Sequence, residues 1–425
     1  MTMRIAIRNG RIIDPANGTD REGDLCVAEG RIVACAPSDF TAEREIDARG
    51  LVVCPGLVDL HARLREPGHE HKATIASETR AAAAAGITTL CCPPDTDPVV
   101  DTPAVAELIH QRAEQSAHAR VVPIGALTRG LAGEQLSEMR ALKDAGCAAV
   151  GNAEHTITNT RVMRHALEYA ASLDLPVMLH SEDPWLAAAG AMHEGVLSAR
   201  LGLAGIPGCA EVIAVGRDLV LIEQTGARAH FAHLSTTRAA EIVAEARARG
   251  LPVSADVTAH HLYLTETDVG EFDTLCHVRP PLRTQRDRDG LRAALSDGVL
   301  SAVSSDHQPH DRDAKLAPFG TSEPGISALE TLLPLTLRLA DDGLLSLSEA
   351  LACITHRPAR ILGLEAGTLA PGVPADVCIF DPKAIWTVSE TNLVSRGKNT
   401  PFLGWEMRGR VAYTLLGGRV VHESA

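Results

Sequence analysis

Aromatic side chains are scarce in this chain, at 3% of its 425 residues. No stretch approaches the roughly 18 consecutive apolar residues of a membrane-spanning helix, and the amino terminus lacks the apolar core of a signal peptide. The ten cysteines include no CxxC pair, and several lie inside apolar runs, which favours buried thiols in a reducing compartment. We therefore expect a cytoplasmic protein that is neither exported nor inserted in a membrane.

Positive charge is also in short supply. The net charge is −14, while the charged fraction of 22% and the hydrophobic fraction of 45% are those of an ordinary soluble globular protein. This balance argues against a general nucleic-acid-binding surface. A small anionic substrate is compatible with the composition, but it would need a local basic pocket.

The order of apolar segments predicts an α/β fold. The first fifty and last sixty residues read as short strands separated by glycine-containing turns. Between them, Ala- and Leu-rich helical segments such as "TRVMRHALEYAASL" alternate with strand-like runs. These runs end at His61 or lie at 86–92, 120–126, 146–151, 175–180, 227–233, 251–256 and 299–306. Eight βα units favour a (β/α)8 TIM-type barrel over an open doubly wound sheet.

We assign the barrel to residues 55–365. The two flanking segments, 1–54 and 366–425, are predicted to pair into a small β domain made from both chain termini. In a (β/α)8 barrel the active site lies at the carboxyl ends of the strands. Polar residues stand at four of these ends: His61, His180, His233 and Asp306. Three imidazoles and a carboxylate that converge there would suit Zn²⁺, with ligand bonds of roughly 2.0–2.2 Å.

Several motifs resemble those of class I dihydroorotase, a cyclic amidohydrolase of pyrimidine biosynthesis. They occur in the family's order, as "PGLVDLHARLREPG", "HSED", "AHLST", "DVTAHHLYLTETD", "RPPLRT" and "SSDHQPH". The terminal segments "NGRIIDP" and "GTLAPGVPADVCIFDP" resemble the composite β domain of the same amidohydrolase superfamily. The resemblance implies interconversion of carbamoyl aspartate and dihydroorotate, in which a zinc-bound hydroxide attacks a ring carbonyl and an aspartate relays the proton.

The resemblance also implies roles for individual residues. The metal ligands of the family match His61, His180 and His233, and Asp306 matches the ligand that doubles as the catalytic base. Arg65 matches the arginine that grips the substrate carboxylate as a bidentate fork. The position of a histidine that contacts substrate is occupied by His310.

The departures from the family pattern concentrate in the same site. Arg63 stands where the family has the second histidine of HxH, and a guanidinium has no lone pair for a metal. Ala153 replaces the strand-4 aspartate or carboxylated lysine, although Glu154 or His155 could substitute from a shifted register. Arg63 could instead form a salt bridge with Asp306 or Asp95. The resemblance also implies asparagines at two substrate positions, which are Asp95 and Arg279 in this chain. The changed positions are therefore Arg63, Asp95, Ala153 and Arg279.

Two hypotheses of different class remain open. The first is a non-catalytic dihydroorotase homologue that acts as a structural partner of aspartate carbamoyltransferase, because stretches such as "PIGALTRGLAGEQL" resemble that subgroup. The second is an active zinc dihydroorotase, or a related cyclic amidase, that tolerates Arg63 and Ala153. The chemistry of the site favours the first, since zinc sites normally need three or four protein ligands. We expect an oligomer in either case.

Overall fold

The structure is a computed structural model that describes residues 3–34 and 40–424. The strands are β1 (Ile5–Asp14), β2 (Thr19–Ala28), β3 (Arg31–Val33), β4 (Arg44–Asp47), β5 (Val52–Pro55), β6 (Leu57–Asp59), β7 (Ile87–Cys92), β8 (Arg120–Ala126), β9 (Ala149–Gly151), β10 (Val177–His180), β11 (Met192–His193), β12 (Gly205–Ile206), β13 (Ala229–Ala232), β14 (Val253–Thr258), β15 (Ala302–Ser304), β16 (Val377–Thr387), β17 (Glu406–Leu416) and β18 (Arg419–Glu423).

The helices are α1 (Ile75–Ala84), α2 (Pro103–Ser116), α3 (Met139–Asp144), α4 (Thr160–Ser172), α5 (Pro184–Ala187), α6 (Val196–Leu201), α7 (Gly208–Thr225), α8 (Thr237–Ala248), α9 (Gln285–Ser296), α10 (Leu329–Asp341), α11 (Leu347–Ala352) and α12 (His356–Leu362). Short 3-10 helices lie at Pro15–Asn17, Arg129–Leu131, His260–Leu262, Glu266–Val269, Thr274–Cys276, Arg312–Lys315 and Phe319–Thr321. Across the described residues, no helix is both long and apolar enough to cross a membrane.

Eight parallel strands form the barrel, in the unbroken order β6-β7-β8-β9-β10-β13-β14-β15. The first and last strands meet through a parallel bridge between Ala62 and His307. On either side of this bridge, the backbone N–H of Arg63 donates to the His307 carbonyl at 2.8 Å, and that of His307 donates to the His61 carbonyl at 3.2 Å. The predicted (β/α)8 fold is confirmed, and its closing seam lies beside His61 and Arg63.

A second sheet contains strands from both chain termini. Its order is β18-β17-β16-β5-β1-β2-β3, with β4 paired to β1. The antiparallel pair β5–β16 joins the amino-terminal strands to the carboxyl-terminal ones, with Cys54 opposite Cys378.

Eight of the described cysteines are free thiols, whereas Cys26 is disulfide-bonded, so the thiol prediction is wrong for that residue. Cys35 lies outside the described residues.

Local sequence explains how the barrel helices begin and which face they bury. The Thr236 hydroxyl caps α8 by accepting a hydrogen bond from the N–H of Ala239 at 3.3 Å. The helix then buries Ala239, Ala240, Val243 and Ala246, which recur at the spacing of one helical face. The cap and the buried apolar face together determine where α8 begins after the loop that follows β13.

A connection between β16 and β17, residues 393–400 (here called the strap), ties the terminal sheet to the barrel. The Glu330 carboxylate in α10 accepts hydrogen bonds from the backbone N–H groups of Val394 and Ser395, at 2.5 and 3.1 Å. The buried Glu78 carboxylate in α1 likewise accepts from the Ser395 hydroxyl and from the N–H of Arg396, at 2.6 and 3.1 Å. Two barrel helices therefore hold the strap through carboxylates.

The Glu330 contact predicts a pH-dependent stability. Burial raises the pKa of Glu330 from its usual 4.5 to about 7, and the two backbone hydrogen bonds only partly oppose this. Because the folded state binds this proton more tightly, its contribution is fully present below pH 4.5 and is lost as the pH rises through 7. The loss is on the order of 3 kcal/mol. Urea unfolding of the wild type and Glu330→Gln between pH 4 and 8 should show a steeper decline for the wild type, and parallel curves would contradict the assignment.

Candidate active site

The carboxyl ends of the barrel strands bring together most of the residues selected from the sequence. His180 is the last residue of β10, and His233 follows β13 directly. His61 and Asp306 each lie two residues beyond the ends of β6 and β15, because the sheet at this seam ends before them. All four therefore lie at the end of the barrel where such folds carry their active sites.

Three of these residues form a candidate metal centre. The ligand atoms of His61, His233 and Asp306 lie within 4.8 Å of one another. The His61 Nδ1 and His233 Nε2 atoms are 2.9 Å apart and the two rings stack, with centroids separated by 4.4 Å. His61 Nδ1 lies 3.9 Å from Asp306 Oδ1. His180, which the sequence placed in the same ligand set, is not part of this group.

Both stacked imidazoles are held neutral. Burial lowers the pKa of His61 well below its usual range and that of His233 to about 4, so both rings are uncharged at pH 7. Neutral imidazoles can bind metals, and the two facing ring nitrogen atoms lie 2.9 Å apart.

A small cavity lies beside this pair. His61, His180 and Ala153 line it together with apolar residues from the ends of neighbouring strands. Within the described part of the chain, the Nε2 atoms of His61 and His180 are buried and have no hydrogen-bond partner. Such atoms usually face a water molecule or a ligand.

Arg63 occupies the centre of the site. Its side chain is only 6% exposed and contacts three carboxylates. The Nε atom donates to Asp95 Oδ2 at 2.7 Å, Nη2 to Glu154 Oε1 at 2.9 Å, and Nη1 to Asp306 Oδ1 at 3.3 Å. The structure thus has both of the pairs considered from the sequence, Arg63–Asp306 and Arg63–Asp95, and adds Glu154 as a third partner.

The pKa values in this cluster follow from burial and mutual attraction. Burial alone would lower the pKa of Arg63, but Asp95, Glu154 and Asp306 outweigh it and raise that pKa above its usual value. Burial likewise opposes ionisation of Glu154, yet the Arg63 charge brings its pKa down to about 2. Asp306 behaves differently, since burial raises its pKa well above the usual range and Arg63 only partly offsets this. The guanidinium is therefore permanently charged and firmly held.

The positions expected to bind substrate fall into two groups. Arg279 is paired with Glu182, at 3.0 Å from its Nε, and Asp95 is paired with Arg63, so neither is free. Within the described residues, the polar contacts of the Arg65 guanidinium are with the Pro309 carbonyl, at 3.1 Å from Nε, and with His310 Nε2, at 3.1 Å from Nη2. No carboxylate of the described residues forms an ion pair with Arg65. Burial lowers the pKa of Arg65 to about 10 and that of His310 to about 2.

The loop after β9 contains the residues that lie where the family has its strand-4 metal ligand. Ala153 adopts a left-handed backbone conformation, with φ of 48°, and the next residue, Glu154, reaches Arg63. His155 is exposed and does not join the site. The Asn152 side chain accepts from the Thr128 hydroxyl at 2.9 Å and donates to the His155 carbonyl at 2.7 Å. Of the two shifted candidates, only Glu154 is at the centre, and it binds Arg63.

Sequence reasoning missed four residues of the site: Glu154 as a salt-bridge partner, Glu182, Gln308 and Asn399. Gln308 Nε2 donates to both oxygens of Asp306 at 3.2 Å and to Glu154 at 3.3 Å. Glu182 and Gln308 lie inside the "HSED" and "SSDHQPH" motifs, so their position was a usable signal. Asn399 carried no such signal, because it is far from every motif.

Asn399 on the strap supports the loop that carries His310. Its Nδ2 donates to the carbonyls of Gln308 and Gly325 at 2.9 and 3.0 Å, and its Oδ1 accepts from the N–H of His310 at 2.8 Å. Replacing Asn399 with alanine would leave three buried backbone groups unpaired. We expect a loss of about 3 kcal/mol in the free energy of unfolding, measured by urea denaturation. The exposed Asn392→Ala variant of the same connection should lose less than about 1 kcal/mol, and equal losses would contradict this role.

Comparisons with known proteins bear on the family and the fold of this chain. Residues 50–239 match the family described as Dihydro-orotase-like. A dihydroorotase-like protein from Pseudomonas aeruginosa is 53% identical over 423 residues, which are 99% of this chain and 100% of that protein. A dihydroorotase from Syntrophotalea carbinolica is 48% identical over 421 residues, 99% of each chain. The solved L-hydantoinase (dihydropyrimidinase) from Arthrobacter aurescens has a TM-score of 0.89 and 25% identity, over 100% of this chain and 96% of that one.

Proposed function

The chain belongs to the dihydroorotase-like family, and from this premise we propose that it serves pyrimidine biosynthesis without catalysing the dihydroorotase reaction itself. The observation that carries the proposal is the position of Arg63. Its guanidinium contacts Asp306, the carboxylate that belongs to the candidate metal centre, at 3.3 Å. A positive group with no lone pair thus occupies the neighbourhood that a catalytic metal would need.

Electrostatics shows how strongly Arg63 would oppose a metal. Two unit charges 4 Å apart interact by about 4 kcal/mol at an effective dielectric constant of about 20, so a dication at that distance is repelled by roughly 8 kcal/mol. The same guanidinium neutralises Asp95 and Glu154, which would otherwise attract the cation. The donor set around His61, His233 and Asp306 therefore does not fit Zn²⁺ as it stands. Without a metal to activate water, no hydroxide forms from which the Asp306 carboxylate could relay a proton.

We propose a structural role in complex with another enzyme, aspartate carbamoyltransferase. The resemblance of the sequence to the non-catalytic subgroup supports this partner. Three large apolar side chains between β10 and β13 are exposed, Trp185 at 84%, Val196 at 88% and Val220 at 66%, and such exposure also supports a protein interface. The name dihydroorotase-like protein, carried by the Pseudomonas aeruginosa relative, is compatible with this role.

A second candidate function is favoured by a different observation. His61, His233 and Asp306 still converge, and Arg65 has no carboxylate partner among the described residues. An active zinc dihydroorotase, or a related cyclic amidase, would use both features. It would require Arg63 to leave Asp306 when metal binds, which breaks the contact of 3.3 Å between them.

The assay that separates these functions measures turnover. The purified chain is incubated with Zn²⁺ and either carbamoyl aspartate or dihydroorotate, beside Asp306→Asn as the control. We expect equal background rates for both proteins in both directions. Turnover by the wild type that Asp306→Asn abolishes would refute the non-catalytic role.

Co-purification with aspartate carbamoyltransferase is then tested, and two proteins that elute separately at micromolar concentrations would refute the proposed partnership.

A further inference from the structure

A second cleft opens at the opposite end of the barrel from the candidate active site. It lies at the amino-terminal ends of β10, β13 and β14 and has a volume of about 340 Å³. Four arginines line it, whereas aspartate and glutamate are absent from its lining: Arg228, Arg247, Arg357 and Arg360. In a chain of net charge −14, four cations without a lining carboxylate form an unusual local concentration of positive charge.

Little of this positive charge is neutralised. Arg228 pairs with Asp174 at 3.1 Å, outside the lining. Arg247 Nη1 donates to the carbonyls of Gly298 and Val299, at 2.8 and 2.6 Å. The Arg357 guanidinium donates to the Cys353 sulfur at 3.3 Å. Arg360 is exposed and, among the described residues, has neither an ion pair nor a side-chain hydrogen bond. Three of the four arginines therefore lack a carboxylate partner within the structure described.

Helix capping explains only part of this arrangement. Arg247 lies in the last turn of α8, and Arg360 in the last turn of α12, where positive side chains are favoured by the helix dipole. However, Arg360 does not bond to a carbonyl, and Arg228 immediately precedes a strand. The cleft also contains neutral donors, since the hydroxyl-bearing residues Ser254 and Ser301 line it. The residues from three strand ends and α12 converge on one space, as a binding site requires.

We propose that this cleft binds a small anion with two or more phosphate groups. Guanidinium groups match phosphate geometry with paired N–H donors, and serine hydroxyls can supply further hydrogen bonds. The volume of about 340 Å³ falls within the roughly 300–1,000 Å³ of small-molecule pockets. Three uncompensated arginines suit two or three negative charges better than a single carboxylate. This site is independent of Arg63 and of the proposed non-catalytic role.

The test is calorimetric titration of the full chain with pyrophosphate and with inorganic phosphate, at constant ionic strength because salt screens such contacts. Pyrophosphate is expected to bind at one site per chain, at least tenfold more tightly than phosphate. The Arg357→Ala/Arg360→Ala variant should bind pyrophosphate at least tenfold more weakly. The control Arg161→Ala/Arg286→Ala removes the same charge from exposed positions outside the cleft and should change affinity less than twofold.

A further variant tests the cleft with a smaller risk of disturbing the fold of α12. Because Arg360 is exposed and makes no side-chain bond, Arg360→Gln should preserve the fold and still weaken pyrophosphate binding about threefold. Equal weakening in the cleft and control variants would overturn the proposal, because binding would then follow net charge alone. Absence of saturable pyrophosphate binding would overturn it as well. A glutamate-rich peptide that displaces pyrophosphate with higher affinity would assign the cleft to an acidic protein segment instead.

Discussion

Replacing Arg63 with alanine is expected to lower the free energy of unfolding by about 3–5 kcal/mol at pH 7. The substitution removes the only cation that contacts Asp95, Glu154 and Asp306 in the described site, and leaves these carboxylates facing one another. The penalty arises mainly at Glu154, because burial opposes ionisation of this carboxyl and the Arg63 charge is what brings its pKa down to about 2. Urea denaturation followed by circular dichroism measures the loss.

The Arg164→Ala variant is the matched control, because it breaks the exposed Arg164–Glu168 pair within one helix. Such a pair contributes only about 0.3–0.5 kcal/mol. Adding Glu154→Gln to Arg63→Ala should recover part of the lost stability, since it removes the carboxylate charge that Arg63 stabilises. A loss below about 1 kcal/mol for Arg63→Ala, or no recovery in the double variant, would show that the cluster does not hold the site together.

Changing Arg63 to histidine together with Ala153 to aspartate is expected to raise the affinity for Zn²⁺ by on the order of 100-fold or more. The first change removes the repelling charge and adds an imidazole two residues after His61, beside the bridge that aligns Ala62 with His307. The second adds a carboxylate at a position whose φ of 48° aspartate tolerates better than most residues. Zinc affinity is measured by competition with a chromogenic chelator.

The Arg63→Gln variant separates the two contributions in that experiment. It removes the guanidinium charge but adds no strong zinc ligand, so its gain in affinity should be distinctly smaller than that of the histidine–aspartate variant. If both variants bound zinc as weakly as the wild type, the present shape of the site, rather than Arg63 and Ala153, would be what excludes the metal.

The barrel could be predicted because its strands are continuous apolar runs followed by helical segments. All eight runs correspond to strands β6 to β10 and β13 to β15, although several strands are shorter than their runs. The segment between β10 and α7 was not anticipated. It contains the short elements α5, β11, α6 and β12, which are too brief to produce a hydrophobic period.

The identity of the site residues could be read from motifs, but their partners could not. That Arg63 cannot be a ligand follows from its chemistry alone. That Glu154 binds it depends on the backbone turn at Ala153, which local sequence does not determine. Asn399 reaches the His310 loop across 89 positions of the chain, and no spacing rule predicts such a contact. The separation of His180 from the His61–His233 pair likewise depends on side-chain packing.

We propose that the Arg63 guanidinium excludes a metal from this dihydroorotase-like barrel. Isothermal titration of the metal-free wild-type chain with Zn²⁺ tests it most directly, with His61→Ala and Asp306→Asn as comparisons. We predict no stoichiometric binding tighter than micromolar, and curves that neither substitution changes. One equivalent of Zn²⁺ bound at submicromolar affinity, and lost in both variants, would contradict the claim.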